Sequence, residues 1–287
     1  MSRAREKFRE VLSADTACLA ANIFDSLSAR IADILGYEIC VLSGSVGKAT
    51  NLAVPDQVLS NASDLAEHCH RIIRAANVSL MVDAEDGFGT AVNVRRTVRQ
   101  LEISGVSAIE IEDNAVPSLF GLGNTGLVSK DEQVGKLRSA IASRDDPTTV
   151  IIARTSALGF CPLNEALDRI DAYSSTGVDA IMLVGLPRGV DDISSVHQVT
   201  SLPLCILNPP EITGDANEFF RANNVKILML GNPTYSASVH AIYSTLEHLK
   251  NGGSIANLPN QLASQELLQT VIRTEEFSAW QRDYIGS

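Results

Sequence analysis

The sequence predicts an α/β fold, a (β/α)8 TIM-type barrel with an appended C-terminal helical segment, and three observations lead to this prediction. The chain has 287 residues, close to the ~250 of one such barrel. Eight short apolar runs with the character of buried strands lie near residues 19, 40, 80, 109, 151, 182, 205 and 228. Helical patterns separate most of these runs.

The connections between elements support the same prediction. GVSAIEIE at 105–112 resembles GVDAIMLV at 177–184, and LGYEICVL at 35–42 is a looser copy. In each, a helix is predicted to end on glycine and to lead straight into a strand, as in alternating α/β folds. A doubly wound open sheet is the alternative, but no Gly-x-Gly-x-x-Gly motif follows the first strand.

The helices of the first half are predicted in chain order from their apolar spacing. Residues 3–13 form the first, with Phe8, Val11 and Leu12 on its apolar face. Ser26 is predicted to cap the second, which ends at Gly36 and carries the apolar residues Leu27, Ile31, Ile34 and Leu35. Two more are expected at about 63–75 and 91–104.

The chain is predicted to be a single domain, residues 1–287, because no linker or low-complexity segment divides it. Two stretches exceed a minimal barrel. The long loop from Asn114 to Lys130 has the length of a lid or binding loop. The apolar tail, residues 252–287, is expected to form a helical extension that packs on another subunit.

Composition narrows the function classes. A net charge of −11 disfavours a nucleic-acid partner, because the chain would repel phosphate backbones. Five cysteines without paired spacing are typical of a reducing compartment. No apolar run approaches the ~20 residues of a membrane span, and the N-terminus lacks the apolar region of a secretory signal. We therefore expect a cytoplasmic protein without a membrane partner.

The segment MVDAEDGFG at 81–89 is the strongest candidate for chemistry. An apolar strand ends there on Asp83, Glu85 and Asp86. Burying carboxylates without a partner is costly, so a cation is one interpretation. Carboxylate oxygens suit Mg2+ or Mn2+. An ordinary solvated turn is the alternative on this segment alone.

The other predicted strand ends carry further polar residues. In a barrel of this kind the active site lies at the carboxyl ends of the strands, where Glu112, Arg154, Asn208 and Asn232 are expected. Arg154 ends an otherwise apolar strand, so its guanidinium group could hold a substrate carboxylate with two hydrogen bonds. The alternative is that Arg154 only neutralises Asp83 or Glu112.

Several other chemistries are disfavoured. None of the six lysines lies at the carboxyl end of a predicted strand, as a Schiff-base aldolase would need. The five histidines lie on predicted helices and do not cluster with cysteines as in zinc sites. No Gly-x-Ser-x-Gly motif of a serine hydrolase occurs.

An ordered set of motifs covers nearly the whole chain: Ser43-Gly44-Ser45, Pro55-Asp56, VDAEDGFG at 82–89, Ile111-Glu112-Asp113 and Ile152-Ala153-Arg154-Thr155. With this set the chain resembles the isocitrate lyase/phosphoenolpyruvate mutase superfamily. Within it, the loop after Glu112 and the C-terminal EEFSAWQRDY are most similar to the oxaloacetate decarboxylase group.

This resemblance implies a Mg2+ ion held by Asp83, with waters on the metal held by Glu85, Glu112 and Asp56. It implies that the substrate's carboxylate contacts Arg154, Ser45, Gly44 and Val46. Arg154, Glu112 and Asp56 are the residues expected to act in catalysis. It also implies a homotetramer in which the C-terminal helices exchange between subunits.

The chain departs from the family pattern at three places. Asp83-Ala84-Glu85 stands where the family usually has Asp-Ala-Asp. Asn208 and Asn232, expected to contact substrate, stand near the positions where the decarboxylase group has a tyrosine and a histidine. The loop also lacks the Lys-Lys-Cys-Gly-His segment of isocitrate and methylisocitrate lyases.

Three functional hypotheses follow. The first is a Mg2+-dependent lyase that acts on a small 2-oxo dicarboxylic acid, decarboxylating oxaloacetate to pyruvate through an enolate that the metal stabilises. Its variant is a C–C lyase acting on a substituted malate. The second hypothesis is P–C bond chemistry, as in a hydrolase or mutase acting on phosphonopyruvate. The third hypothesis is a barrel that binds a 2-oxo acid or oxalate without turnover.

Overall fold

In the computed structural model, which describes residues 2–116, 126–258 and 262–286, the strands form a single parallel sheet. The strands are β1 (Cys18–Leu19), β2 (Ala21–Ile23), β3 (Ile39–Leu42), β4 (Ser79–Asp83), β5 (Ala108–Glu112), β6 (Val150–Thr155), β7 (Ala180–Leu183), β8 (Leu204–Leu207) and β9 (Val225–Met229). Their spatial order follows the chain, from β2 through to β9, and β9 pairs with β1.

The helices alternate with these strands. They are α1 (Arg3–Ser13), α2 (Ser26–Ile34), α3 (Gly44–Leu52), α4 (Ala62–Ala75), α5 (Ala91–Ile103), α6 (Lys130–Ile141), α7 (Ala157–Phe160), α8 (Leu163–Ser174), α9 (Val190–His197), α10 (Ala216–Ala222), α11 (Pro233–Lys250), α12 (Gln265–Val271) and α13 (Thr274–Tyr284), with a short 3-10 turn at Ile255–Asn257.

The barrel closes through its first strand, which is interrupted at Ala20. The β1 part pairs with β9, and the β2 part pairs with β3. The backbone N–H of Ala20 donates to the carbonyl of Leu228 at 2.9 Å. Counting β1 and β2 as one barrel strand gives the eight strands expected from the apolar runs. The predicted (β/α)8 barrel with C-terminal helices is therefore confirmed.

Two apolar cores hold the barrel. The larger lies between the strands and the surrounding helices, where the outward residues of each strand pack. The smaller fills the barrel interior with residues such as Val41, Met81, Ile152 and Ile227. Helix α1 joins this inner core through Phe8, Val11 and Leu12, as its apolar face predicts. It thereby covers the amino ends of the strands.

Two helices differ from the sequence-based expectation. The apolar residues predicted to pack on α2 are largely exposed; the helix buries Ala29 and Ala32, and Asp25 rather than Ser26 caps it. Helix α3 is not among the helices predicted from the sequence, and it begins at Gly44, directly after β3. This helix carries Ser45, Val46 and Lys48 into the region above the strands.

The long connection after β5 is described only at its two ends, since residues 117–125 lie outside the described part of the chain. Asn114 and Leu127 form an antiparallel bridge, and the N–H of Ala115 donates to the Gly126 carbonyl at 2.8 Å. The prediction of a lid or binding loop therefore stays a prediction.

The chain divides into two compact units, Met1–Gly231 and Asn232–Ser287. The first contains all nine described strands. The second contains α11, α12 and α13, and Phe277 and Trp280 pack edge to face in it with ring centroids 5.0 Å apart. The predicted single domain with an extension at 252–287 stays a prediction.

Across the described residues, the structure contains no helix with both the length and the apolar character that a membrane span requires.

Candidate active site

Three neighbouring strands end together at one rim of the barrel. In the register of the sheet, Asp83 at the end of β4 lies beside Glu110 of β5, and Glu112 lies beside Arg154 of β6. Side chains that point to the same side of adjacent parallel strands are close neighbours. Local sheet geometry alone therefore brings together three of the residues predicted for the site.

Arg154 is the cation shared by this group. Its Nη1 lies 2.5 Å from Asp83 Oδ2, and its Nη2 lies 3.1 Å from Glu112 Oε2. Glu110 Oε2 lies 3.8 Å from Nη1. The guanidinium group is thus positioned by carboxylates, and its Nε–H is a buried donor without a partner among the described residues.

Asp83 is held ionised by its surroundings. Burial alone would raise the pKa of its carboxyl group, but the charge of Arg154 and hydrogen bonds from the backbone N–H groups of Glu85 and Gly44 outweigh burial and lower the pKa. These two N–H groups donate at 2.9 Å and 3.3 Å. Gly44 can approach so closely because a Cβ there would lie 2.9 Å from Glu85 Oε1.

Glu110 and Glu112 have the opposite shift. Burial raises the pKa of Glu112 to about 7, with Arg154 opposing the shift and Asp83 adding to it. Burial likewise raises the pKa of Glu110, to about 8. Three carboxylates crowded around a single arginine therefore do not share its charge equally, and Asp83 takes the largest part.

Lys48 belongs to the site although the sequence argument set it aside. Its Nζ lies 2.5 Å from Glu85 Oε1 and 2.8 Å from Asp56 Oδ1. The lysines were excluded because none lies at a strand end, whereas Lys48 reaches the rim from α3. The available signal was its position four residues after Gly44, one helical turn beyond the end of a strand.

The pairing of Lys48 with two carboxylates fixes its protonation state. Burial alone would lower the pKa of Lys48, but its hydrogen bonds to Asp56 and Glu85 and their charges raise the pKa above the usual value. A Schiff-base nucleophile needs a neutral amine. The raised pKa disfavours Schiff-base chemistry at Lys48, and the absence of aldolase chemistry stays a prediction.

A cavity of about 230 Å³ opens at this rim. Six predicted site residues line it: Ser45, Asp56, Asp83, Glu85, Glu112 and Arg154. Lys48, Asn114, Val116 and Phe160 line it as well. Ser45 Oγ lies 2.8 Å from Ser43 Oγ. A cavity of this size can hold a small organic acid.

The remaining residues predicted to contact substrate do not line this cavity. Gly44 lines a neighbouring cavity of about 200 Å³, and Val46 is buried in α3. Asn208 follows β8 in a left-handed conformation, with φ of 51°. Asn232 precedes α11 in the second compact unit. Substrate contacts by these residues, and by Ser45 and Arg154, stay predictions.

Part of the donor set at the rim suits a divalent metal ion. Asp83 and Glu112 offer the carboxylate oxygens that Mg2+ and Mn2+ prefer. Asn114 Nδ2 donates to Glu112 Oε2 at 3.0 Å, while its buried Oδ1 has no partner among the described residues. Within the described ranges, however, no group of three or more His, Cys, Asp or Glu side chains is arranged so that it could hold a metal ion by itself. The oxygen chemistry fits a hard cation, and Arg154 and Lys48 offset only part of the negative charge of the rim carboxylates.

A buried network supports the rim from behind. Asp113, which follows β5, is fully buried and accepts hydrogen bonds from Thr155 Oγ1 at 2.7 Å and from Tyr173 Oη at 2.9 Å. Arg169 Nη1 donates to Tyr173 Oη at 3.2 Å and to the Val128 carbonyl at 2.9 Å. This network fixes the ends of β5 and β6, and thus the positions of Glu112 and Arg154.

Curated relatives match nearly the whole chain. The chain is 36% identical over 282 residues to an oxaloacetate decarboxylase of Bradyrhizobium diazoefficiens, covering 98% of this chain and 97% of that protein. It is 37% identical over 284 residues to an oxaloacetate decarboxylase of Pseudomonas fluorescens, covering 98% and 96%.

Solved structures give the same result for the fold. Phosphonopyruvate hydrolase in complex with oxalate and Mg2+ is similar with a TM-score of 0.87 at 28% identity, covering 99% of this chain and 100% of that chain. Phosphoenolpyruvate phosphomutase of Streptomyces platensis subsp. rosaceus, at 24% identity and a TM-score of 0.86, covering 98% and 99%, shares the fold. The model of the phosphoenolpyruvate phosphomutase family matches residues 8–250, so the chain belongs to that family.

Proposed function

We propose that this protein is a divalent-metal-dependent lyase that decarboxylates a small 2-oxo dicarboxylic acid, with oxaloacetate as the best candidate. The observation that carries the proposal is the 34–37% identity, over nearly the full length, to relatives named oxaloacetate decarboxylase. Such relatives indicate that the chain is a carbon–carbon lyase. The carboxylates and Arg154 around a 230 Å³ cavity support the same chemistry.

The rim residues have complementary roles in this proposal. Arg154 binds and orients a substrate carboxylate through donors that Asp83 and Glu112 hold in place. Asp83 and Glu112 would hold the metal, with Glu85 and Asp56 at the edge of its hydration shell. A bound Mg2+ ion would offset the negative charge that develops on the keto oxygen when the C–C bond breaks. Ser45 and Asn114 offer hydrogen bonds to the same end of the substrate.

The test is consumption of oxaloacetate with formation of pyruvate, measured with Mg2+, with Mn2+ and with chelator. We expect turnover only with metal, and we expect Asp83→Asn to lower kcat/KM by at least about a hundredfold. Asp215→Asn, at the cap of α10, is the matched control and should keep wild-type turnover. Stable oxaloacetate in the wild type, or full activity in Asp83→Asn, contradicts the proposal.

Cleavage of a P–C bond is the second candidate. It is favoured by the 28% identity and full-length similarity to phosphonopyruvate hydrolase. Release of inorganic phosphate from phosphonopyruvate distinguishes it from decarboxylation. A screen that adds substituted malates tests the C–C lyase variant, and calorimetry with oxalate tests binding without turnover.

We also propose that the protein is a homotetramer built through its C-terminal helices. Large apolar side chains of the second compact unit are exposed in the single chain, among them Ile242, Leu246, Phe277 and Trp280. Exposed apolar surface of this kind is typical of an interface between proteins. Light scattering of the full-length protein tests the assembly. Removal of residues 262–287 should lower the number of subunits, which is the measured mass divided by the mass of the truncated chain.

A further inference from the structure

Lys48 is a fixed positive charge inside the site, and its surroundings are unusual for a lysine. Only 3% of its side chain is exposed, although it lies on a helix at the open rim of the barrel. Its ammonium group contacts Glu85 and Asp56, which come from two different loops. A buried lysine between two carboxylates is held by charge and hydrogen bonds rather than by packing alone.

The length of Glu85 is explained by this contact. Its Oε1 lies 2.5 Å from Lys48 Nζ and passes close to Gly44, where a Cβ would lie 2.9 Å away. An aspartate at this position would be shorter by one methylene, about 1.5 Å, and would leave the ammonium group without this partner. The glutamate thus fits a site that contains Lys48.

The carboxylates of the rim are consequently divided into two ion-paired groups. Arg154 pairs with Asp83 and Glu112, and Lys48 pairs with Glu85 and Asp56. A divalent cation gains affinity with each carboxylate that is available to it or to its waters. The cation can recruit Glu85 and Asp56 only by displacing the ammonium group or by binding beside it, where the two positive charges repel each other.

We propose that Lys48 is a built-in competitor of the metal ion: between Glu85 and Asp56 its ammonium group occupies the place that those carboxylates would otherwise offer to a divalent cation. Lys48 therefore weakens metal binding in the free protein and leaves Asp83 and Glu112 as the principal metal ligands. This inference rests on the proposed metal dependence and assigns Glu85 a different partner from the one predicted.

The test is Mn2+ binding to the full-length protein without substrate, by titration calorimetry and by the electron paramagnetic resonance signal of free Mn2+. Lys48→Met keeps a side chain of similar length and removes the charge. We expect it to tighten Mn2+ binding by about tenfold or more, as adding a carboxylate to a site does. Lys48→Arg keeps the charge and should keep weak, wild-type binding. Unchanged or weaker binding in Lys48→Met overturns the proposal.

A double substitution separates competition for Glu85 from a general effect of charge. In a Glu85→Gln background, Lys48→Met should tighten binding far less than it does in the wild type, because the carboxylate that it releases is absent. An equal gain in both backgrounds contradicts competition for Glu85. Lys226→Met removes a buried ammonium group at the amino end of β9, where it contacts the Ala14 carbonyl, and should not change Mn2+ binding.

Thermal unfolding provides a second measurement if Lys48→Met folds poorly. The variant frees Glu85 and Asp56 to bind Mn2+ in the folded state. Mn2+ should therefore raise the unfolding temperature of Lys48→Met more than that of the wild type. An equal or smaller rise contradicts the proposal. The proposed decarboxylation is judged separately. If the wild-type protein turns over oxaloacetate but Lys48→Met binds Mn2+ as the wild type does, only the role of Lys48 is contradicted. If Lys48→Met binds Mn2+ more tightly but the wild-type protein does not turn over oxaloacetate, only the proposed reaction is contradicted.

Discussion

Tyr173 of α8 donates a hydrogen bond of 2.9 Å from its phenolic oxygen to Asp113, across 60 residues of sequence. Both side chains are fully buried. Burial raises the pKa of Asp113, while hydrogen bonds from Thr155 and Tyr173 oppose the shift. The tyrosine thus helps to stabilise a buried acid that lies one residue from Glu112.

Tyr173→Phe should destabilise the fold by about 2 kcal/mol, because the buried carboxyl group of Asp113 loses one of its hydrogen-bond donors. Urea unfolding measures the change. Tyr243→Phe is the matched control, since that exposed hydroxyl only donates to Glu247 at 3.2 Å on the same helix. Equal stability of the Tyr173→Phe variant and the wild type would show that Asp113 does not depend on this bond.

Gly44→Ala should lower kcat/KM for oxaloacetate by on the order of tenfold to a hundredfold, since displacement of site groups by about 1 Å can have that effect. A Cβ at Gly44 would lie 2.9 Å from Glu85 Oε1 and 3.4 Å from Asp83 Oδ2. One of these carboxylates must therefore shift. Steady-state kinetics measures the effect.

The same substitution at Gly47 is its control on the same helix. A Cβ there meets only ordinary contacts, with His68 Nδ1 at 3.6 Å and Leu42 Cδ1 at 3.9 Å. Gly47→Ala should keep activity and could gain up to about 1 kcal/mol of stability from helix propensity. Equal activity losses at both positions would rule out a specific role for the Gly44 contact.

Lys136→Met should destabilise the protein by about 3–5 kcal/mol, because it leaves the buried Asp86 without its cation. Lys136 Nζ lies 3.3 Å from Asp86 Oδ2 and 3.1 Å from the Asp86 carbonyl oxygen, and it is almost completely buried. Chemical denaturation measures the loss, and adding Asp86→Asn should restore part of it. Lys130→Met removes the exposed pair with Asp168 and should change stability little.

We expect the buried His68 to lower the free energy of unfolding as the pH falls into the mildly acidic range. Its Nε2 contacts the Phe24 carbonyl and its Nδ1 contacts Asn51 Nδ2, each at 2.8 Å, which suits the neutral ring. Burial lowers the pKa of His68 in the fold below the ~6.5 of an unfolded chain. The unfolded chain therefore takes up a proton first as the pH falls, and stability is lost below that value.

The measurement is the free energy of unfolding against pH for the wild type and for His68→Gln. The stability of the wild type relative to the variant should decrease as the pH falls below about 6.5. The same substitution at His240, an exposed residue of α11, controls for loss of an imidazole. A constant difference between wild type and His68→Gln across this range would contradict the neutral, buried ring.

The order of strands and the rim residues Asp83, Glu112 and Arg154 could be predicted because they depend on local signals. Apolar runs that end in charge mark the carboxyl ends of barrel strands, and neighbouring strands bring those ends together. Glu110 shows a signal that was available and unused. It lies two residues before Glu112, so the alternation along β5 directs both side chains to the barrel interior.

The contacts of Lys48 could not be predicted in the same way. They depend on helix α3, whose sequence has little apolar periodicity and contains Gly47 in its interior. Its partner Asp56 lies in the following loop, and Glu85 adopts a left-handed backbone conformation with φ of 52°. Tertiary contacts hold these conformations against weak local preference. Which carboxylate faces which cation is therefore a property of the folded chain.

Helix α1 has one more consequence for how the enzyme would work. Its residues Phe8, Val11 and Leu12 cover the amino ends of the strands and join the inner core, and Arg5 fastens it to the Val106 carbonyl at 2.9 Å. Substrate and product therefore both pass through the opening at the carboxyl ends of the strands. In the proposed reaction pyruvate leaves the cavity that oxaloacetate enters, and it is expected to inhibit competitively with respect to oxaloacetate because both acids would occupy that cavity.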